Sequence, residues 1–77
     1  MKVEIITPDE NLFKGEAESI IVPGSSGLIG ILNNHAPFIT TLQKGTVVLR
    51  TNKGEQTFEV KSGVVEVLDN KVIVLAG

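Results

Sequence analysis

The sequence predicts a single all-β domain, and three observations support this. Short runs rich in Val, Ile and Thr are separated at close intervals by Gly, Asn, Asp or Pro, which is typical of strands joined by tight turns. No stretch keeps the apolar period of an amphipathic helix for long enough to form one. The chain has 77 residues, which suffices for one core. We therefore expect residues 1–77 to form one two-sheet β-sandwich or flattened barrel.

The predicted strands follow these runs in order. β-Branched residues dominate Val3–Thr7 and Ala17–Pro23, and a short apolar run follows a glycine in Gly30–Leu32. Pro37 holds the residue before it extended, so the chain bends before it enters Phe38–Leu42. Four more runs complete the set, namely Thr46–Thr51, Glu55–Lys61, Val64–Leu68 and Val72–Leu75. Hairpin turns are predicted at Asn52-Lys53-Gly54 and Asp69-Asn70, because Asn, Asp and Gly tolerate the positive φ of tight turns.

Several predicted strands lack the alternation of apolar and polar residues that a half-exposed strand of a sandwich should show. The strand around Phe58 does alternate, with polar residues on either side of its apolar ones. By contrast, Val47–Leu49, Val64–Val65 and Val72–Leu75 offer apolar side chains to both faces. Either strand ends and loops cover the second face, or an apolar patch is exposed there and meets a partner.

Composition and charge exclude several classes of function. The net charge is −2, and no cluster of basic residues supplies the surface that nucleic-acid binding requires. The chain has no cysteine, which excludes a disulfide framework and a thiolate site. No apolar run approaches the roughly 20 residues of a membrane-spanning helix, and the first residues do not resemble a secretion signal. We expect a cytosolic chain, unless it docks on a partner at a membrane.

The segment Val22–Pro37, VPGSSGLIGILNNHAP, is the strongest candidate for a functional site. Its three glycines lack the spacing, the lysine and the following helix of a phosphate-binding loop, so we interpret them as turn residues. The only histidine, His35, has no nucleophile motif around Ser25 or Ser26, and a single histidine makes a poor zinc site. We expect His35 to hold its own loop through a hydrogen bond.

Several short motifs follow one another along the chain in a characteristic order. These are Ile5–Pro8 with Phe13, the V-x-G…G-x-x-G-I-L…H-A-P block, Leu42 with Gly45, and the closing SGVVEVLDNKVIVLAG. In this order and spacing they resemble the N-terminal β-domain of the epsilon subunit of F-type ATP synthases, called delta in mitochondria. The resemblance covers essentially the whole chain and implies a sandwich of ten strands. The helical hairpin that follows this domain in the family has no counterpart here, so the chain resembles a short form.

The resemblance further implies a non-catalytic role in the central rotor, with no cofactor and no metal. In that family the domain binds the gamma subunit and rests on the ring of c subunits, which couples ion transport to ATP synthesis. By position, the ring-facing residues are Ser25, Ser26, Gly27 and Leu28, and the gamma-facing residues are Thr7, His35 and Thr40. Leu28 is apolar at a position where some relatives carry an acid.

The same resemblance implies a place at the cytoplasmic face of the bacterial plasma membrane, held there through the complex, and a monomer when the chain is isolated. A stand-alone β-sandwich that binds another protein is the alternative function.

Overall fold

A computed structural model describes all 77 residues, and every regular element in it is a β-strand. The predicted all-β fold is therefore confirmed. The chain has no helix that is long and apolar enough to cross a membrane. The strands are β1 (Lys2–Ile6), β2 (Asn11–Glu16), β3 (Ser19–Gly24), β4 (Gly27–Leu32), β5 (Phe38–Leu42), β6 (Gly45–Thr51), β7 (Gly54–Val60), β8 (Gly63–Leu68) and β9 (Lys71–Ala76).

The number of strands corrects both expectations from the sequence. The resemblance implied ten strands and the residue pattern eight, whereas nine are present. The additional strand is β2, which pairs antiparallel with β1 and places Phe13 opposite Ile5. Strand β4 begins at Gly27, three residues earlier than predicted, because its first residues pair with the end of β3.

All nine strands belong to one hydrogen-bonded sheet. Its order is β2-β1-β9-β8-β5-β3-β6-β7, and β4 pairs with the remaining side of β3. A single residue pair, Gly24 with Leu42, joins β3 to β5. The sheet curls at this narrow link into two layers. We call β2, β1, β9, β8 and β5 the five-stranded layer, and β4, β3, β6 and β7 the four-stranded layer.

The core lies between the two layers and consists of aliphatic side chains. Sixteen buried hydrophobic residues form one cluster, and no polar or charged residue is buried. Fully buried side chains come from both layers and include Ile5, Val65, Val72 and Val74 on one side and Ile20, Ile31, Val47 and Leu49 on the other. Because each such side chain contributes about 1.5 to 3 kcal/mol when it leaves water, the contact between the layers stabilises the domain.

The strands run between two ends of the sandwich. Residues 7–10, 25–26, 43–44 and 61–62 lie at one end, which we call the hairpin end; residues 17–18, 33–37, 52–53 and 69–70 lie at the other, the histidine end. Both predicted turns lie at the histidine end and are confirmed. Asp69 and Asn70 have φ of 51° and 59°, and Gly54 has φ of 123°. These are the positive values that such hairpins require.

Candidate interaction surfaces

Ser25 and Ser26 form the tip of the β3–β4 hairpin at the hairpin end. Gly27 follows with φ of 135°, a backbone conformation that side chains other than glycine rarely adopt. The amide of Ser25 donates to the carbonyl oxygen of Thr41 at 3.0 Å, and the two hydroxyl groups lie 2.7 Å apart. The tip is therefore tied to the end of β5 and does not move independently of it.

Leu28 stands beside this tip and is the most exposed large apolar residue, at 77%. Four residues further along the same outward side of β4, Leu32 is also exposed, and Gly30 lies between them without a side chain. Ile21 of β3 lies opposite Gly30 and is partly exposed. The outward face of β3 and β4 thus carries an apolar strip. Of its residues, only Leu28 was expected from the sequence to be a contact residue.

His35 lies in the exposed loop between β4 and β5 at the histidine end. Its Nδ1 lies 2.8 Å from the carbonyl oxygen of Ala36, and its ring centroid lies 5.0 Å from that of Phe38. The expected loop-holding hydrogen bond is therefore confirmed, with Nδ1 as the donor. Ser25 and Ser26 lie at the opposite end, so the histidine has no serine nucleophile beside it.

The residues assigned to the gamma side do not form one cluster. Thr7 lies at the hairpin end, where its hydroxyl accepts hydrogen bonds from the amides of Asp9 and Glu10 and so shapes a turn. Thr40 is half-buried and lies opposite the fully buried Val65, so its side chain points toward the core. His35 lies at the other end. Thr7 and His35 thus lie at opposite ends of the five-stranded layer, and the side chain of Thr40 faces away from its outward surface.

That outward face is apolar over its central strands. The strand register places Leu75 opposite Val64, and it places Ile73 and Ile39 on either side of β8. Ile39 is 65% exposed, and Leu68 and Leu75 are each about half exposed. We call Ile39, Val64, Leu68, Ile73 and Leu75 the apolar face. Of the two alternatives left open by the sequence, the exposed patch is confirmed, and a second face covered by loops is wrong.

The chain shows no comparable site for a small ligand. The largest cleft, of about 540 Å³, lies between the β8–β9 hairpin and the start of β1, and it adjoins the apolar face because Leu68 and Ile73 line it together with Glu66. Its lining mixes carboxylates with lysines and includes no glycine-rich loop that could hold a phosphate. No group of three His, Cys, Asp or Glu residues comes together as a metal site. The exposed apolar surfaces are therefore the features that call for a partner.

Comparison with known proteins gives these surfaces a context. A family model described as the β-sandwich domain of the delta/epsilon chain of ATP synthase matches residues 1–77. The ATP synthase epsilon chain of Leptospira interrogans is 44% identical over 75 residues, covering 97% of this chain and 59% of the relative. The epsilon chain of Gloeothece citriformis is 45% identical over 75 residues, covering 97% of this chain and 54% of the relative. The chain thus spans little more than half the length of these curated relatives.

Solved structures show the same fold at lower sequence identity. A chain of the Euglena gracilis mitochondrial ATP synthase, in a structure containing OSCP, F1 and the c-ring, superimposes with a TM-score of 0.88 at 21% identity; the match covers 96% of this chain and 48% of that one. A chain in the central stalk and c-ring structure of the Tetrahymena thermophila mitochondrial ATP synthase gives a TM-score of 0.85 at 19% identity, covering 99% of this chain and 62% of that one.

The family model matches all 77 residues and describes a β-sandwich domain, as the structure shows. Relatives above 40% identity over nearly the whole chain carry the same family name. On these grounds the chain belongs to the delta/epsilon family of ATP synthase chains, and it forms the β-sandwich domain of that family.

Proposed function

We propose that this chain is a non-catalytic rotor subunit of an F-type ATP synthase, which binds the gamma subunit and docks on the c-ring. The observation that carries the proposal is the apolar face. A monomeric domain gains nothing from holding Ile39, Leu68 and Leu75 in water, whereas a partner that covers them removes apolar area from solvent. Membership of the delta/epsilon family of ATP synthase chains supports the choice of a rotor subunit as that partner.

The gamma subunit is assigned to the apolar face. Thr7, His35 and Thr40, the residues placed on the gamma side by sequence resemblance, lie around this face on β5, on the loop before it and at the end of β1. A partner that covers the five-stranded layer would therefore approach all three positions. Thr40 itself points inward, and its neighbours Ile39 and Thr41 would make the direct contacts from β5.

The c-ring is assigned to the hairpin tip. Ser25, Ser26, Gly27 and Leu28 project at the hairpin end, and the hydrogen bonds to Thr41 hold that projection in place. A rigid tip with an exposed leucine suits contact with the loops of a neighbouring ring, since ordering it on binding costs little entropy. In this arrangement the chain lies at the cytoplasmic face of the bacterial plasma membrane and is held there through the complex. Isolated, it is a monomer.

Co-elution with the gamma subunit tests this function. The purified 77-residue chain and the gamma subunit of the same organism are mixed and separated by size-exclusion chromatography. We expect one peak that contains both chains in equal amounts, distinct from the peak of each chain alone. Two separate peaks at micromolar concentrations would contradict the rotor assignment and favour the alternative, a β-sandwich that binds a different protein.

A further inference from the structure

Glu66 lies at the centre of the apolar face and is exposed. Ile39 of β5 and Ile73 of β9 lie directly opposite it on the two neighbouring strands. Val64 and Leu68 flank it along β8 on the same side, because side chains two residues apart on a strand share a face. The four nearest neighbours of the carboxylate within the sheet are thus apolar, and Lys71 of β9, which is paired with Glu4, lies diagonally beyond them.

The carboxylate of Glu66 has no partner within the chain. None of the ion pairs and none of the side-chain hydrogen bonds involves it. A second carboxylate on this outward side is Glu4, which lies on the other side of Ile73. Glu4 is bound by Lys71 at 3.2 Å and by Lys14 at 4.0 Å, and its side chain is only 18% exposed. Glu4 is therefore neutralised within the chain, whereas Glu66 is left free.

A free carboxylate at this place restricts what can cover the apolar face. A partner that seals the face removes water from Glu66, and an ion without a partner in a dry interface is strongly unfavourable. A partner with a cation at the matching point avoids this penalty, and an arginine does so best because its planar fork can bond both carboxylate oxygens. An apolar or acidic surface at that point would bind poorly.

We propose that Glu66 receives an arginine or lysine side chain of the gamma subunit at the centre of their contact, with the apolar face sealing this ion pair from water. This inference rests on the proposed function, because it takes the gamma subunit as the partner. It adds a charge requirement to a surface otherwise defined by its apolar residues. The partner segment must present one cation surrounded by apolar side chains.

Isothermal titration calorimetry with the gamma subunit tests the inference, using the 77-residue chain and its variants Glu66→Gln and Glu66→Lys. The glutamine variant keeps the shape and removes the charge, and the lysine variant reverses the charge. We expect the Kd to rise by at least about tenfold for the glutamine variant and further for the lysine variant, since loss of one member of a buried charge pair is costly. Both variants should melt at the wild-type temperature, because Glu66 has no partner within the chain.

Glu59→Gln is the matched control, because Glu59 is an exposed carboxylate on the outward side of β7 in the other layer. Its Kd should stay within about twofold of wild type, as expected for a charge outside the interface. Wild-type affinity in both Glu66 variants would overturn the inference while leaving the rotor function intact, and so would tighter binding by Glu66→Gln. Absence of binding by the wild-type chain would instead contradict the proposed function itself.

Discussion

The outward faces of the two layers differ in how their charges are arranged. On β6 and β7, Arg50 forms an ion pair with Glu55 at 3.1 Å, and the hydroxyl of Thr46 donates to Glu59 at 2.5 Å. On the five-stranded layer, the central strands instead carry exposed leucine and isoleucine around the unpaired Glu66. The β6–β7 part of the four-stranded layer thus has polar groups paired within the chain, whereas the apolar face exposes hydrophobic side chains and an unpaired carboxylate to water.

Folding alone does not require this difference. Both layers consist largely of antiparallel strands that bury one side in the common core. In each layer, every second residue along the central strands is a hydrophobic residue that faces this core. Outward apolar side chains add little to the stability of the free chain, because they remain in water. The comparison therefore separates residues that build the sandwich from residues that are available to a partner.

The largest effect should come from a substitution at Gly63, where β8 and β9, the central strands of the apolar face, approach each other closely. This residue begins β8 with φ of 149°, and a Cβ placed on it would lie 2.2 Å from the carbonyl oxygen of Leu75. Gly63→Ala should therefore push β8 away from β9 and destabilise the domain by about 2 to 4 kcal/mol. Urea unfolding followed by circular dichroism measures this loss.

Gly30→Ala is the control for that substitution. Gly30 is also a strand glycine, but it is exposed, its φ is not positive, and an added Cβ meets no atom within 4 Å. Its unfolding free energy should stay within about 1 kcal/mol of wild type. Equal stability of the two variants would show that the close approach of β8 and β9 at Gly63 does not contribute to stability.

A smaller and more selective effect is expected at the hairpin tip. Leu28→Asp should leave the melting temperature nearly unchanged, because the side chain is already in water. It should weaken attachment of the gamma-containing rotor to the c-ring and lower coupled ATP synthesis, since the aspartate must lose its hydration on contact. Reconstituted vesicles report the coupling, and binding of the isolated chain to gamma should be unaffected. If the variant unfolds, Leu28 contributes to the core. If coupled ATP synthesis stays at the wild-type level, the hairpin tip does not contact the c-ring.

The smallest effect is expected on the polar face. Arg50 and Glu55 are both about half exposed, and exposed ion pairs contribute little because solvent screens them. Glu55→Gln should change the unfolding free energy by no more than about 0.5 kcal/mol and leave gamma binding unchanged. A clear loss of affinity, measured by calorimetry, would mean that the partner also covers the β6–β7 face.

Local signals in the sequence were enough for much of the fold. The turns at Asp69-Asn70 and Gly54 depend on residues that tolerate positive φ, and the structure places them as predicted. Strand β2 carried no such signal, since Leu12 and Phe13 are its only large apolar residues. It becomes a strand because it pairs with β1, and Phe13 packs against Phe58 of the other layer at a centroid distance of 6.4 Å. Contacts of this kind cannot be seen in a local pattern.

For the candidate surfaces too, local features could be predicted from the sequence, whereas features that depend on strand pairing could not. The hairpin tip follows from a glycine and serine turn, which is a local feature. The choice between Ile39 and Thr40 is not local, because the run Phe38–Leu42 offers apolar residues to both sides. Only pairing with β8 decides it, by placing Thr40 opposite the buried Val65 and Ile39 opposite Glu66. The sequence therefore identified β5 as a strand but could not show which of its side chains face outward.

Methyl NMR on the chain labelled at Ile and Leu, titrated with unlabelled gamma subunit, shows directly which surface gamma covers. We expect signals of Ile39, Leu68, Ile73 and Leu75 to shift or broaden on binding, because these methyl groups belong to the apolar face. Signals of Ile21 and Leu32, on the outward side of the four-stranded layer, should keep their positions. Shifts confined to Ile21 and Leu32, with the apolar face unchanged, would show that gamma binds the four-stranded layer instead.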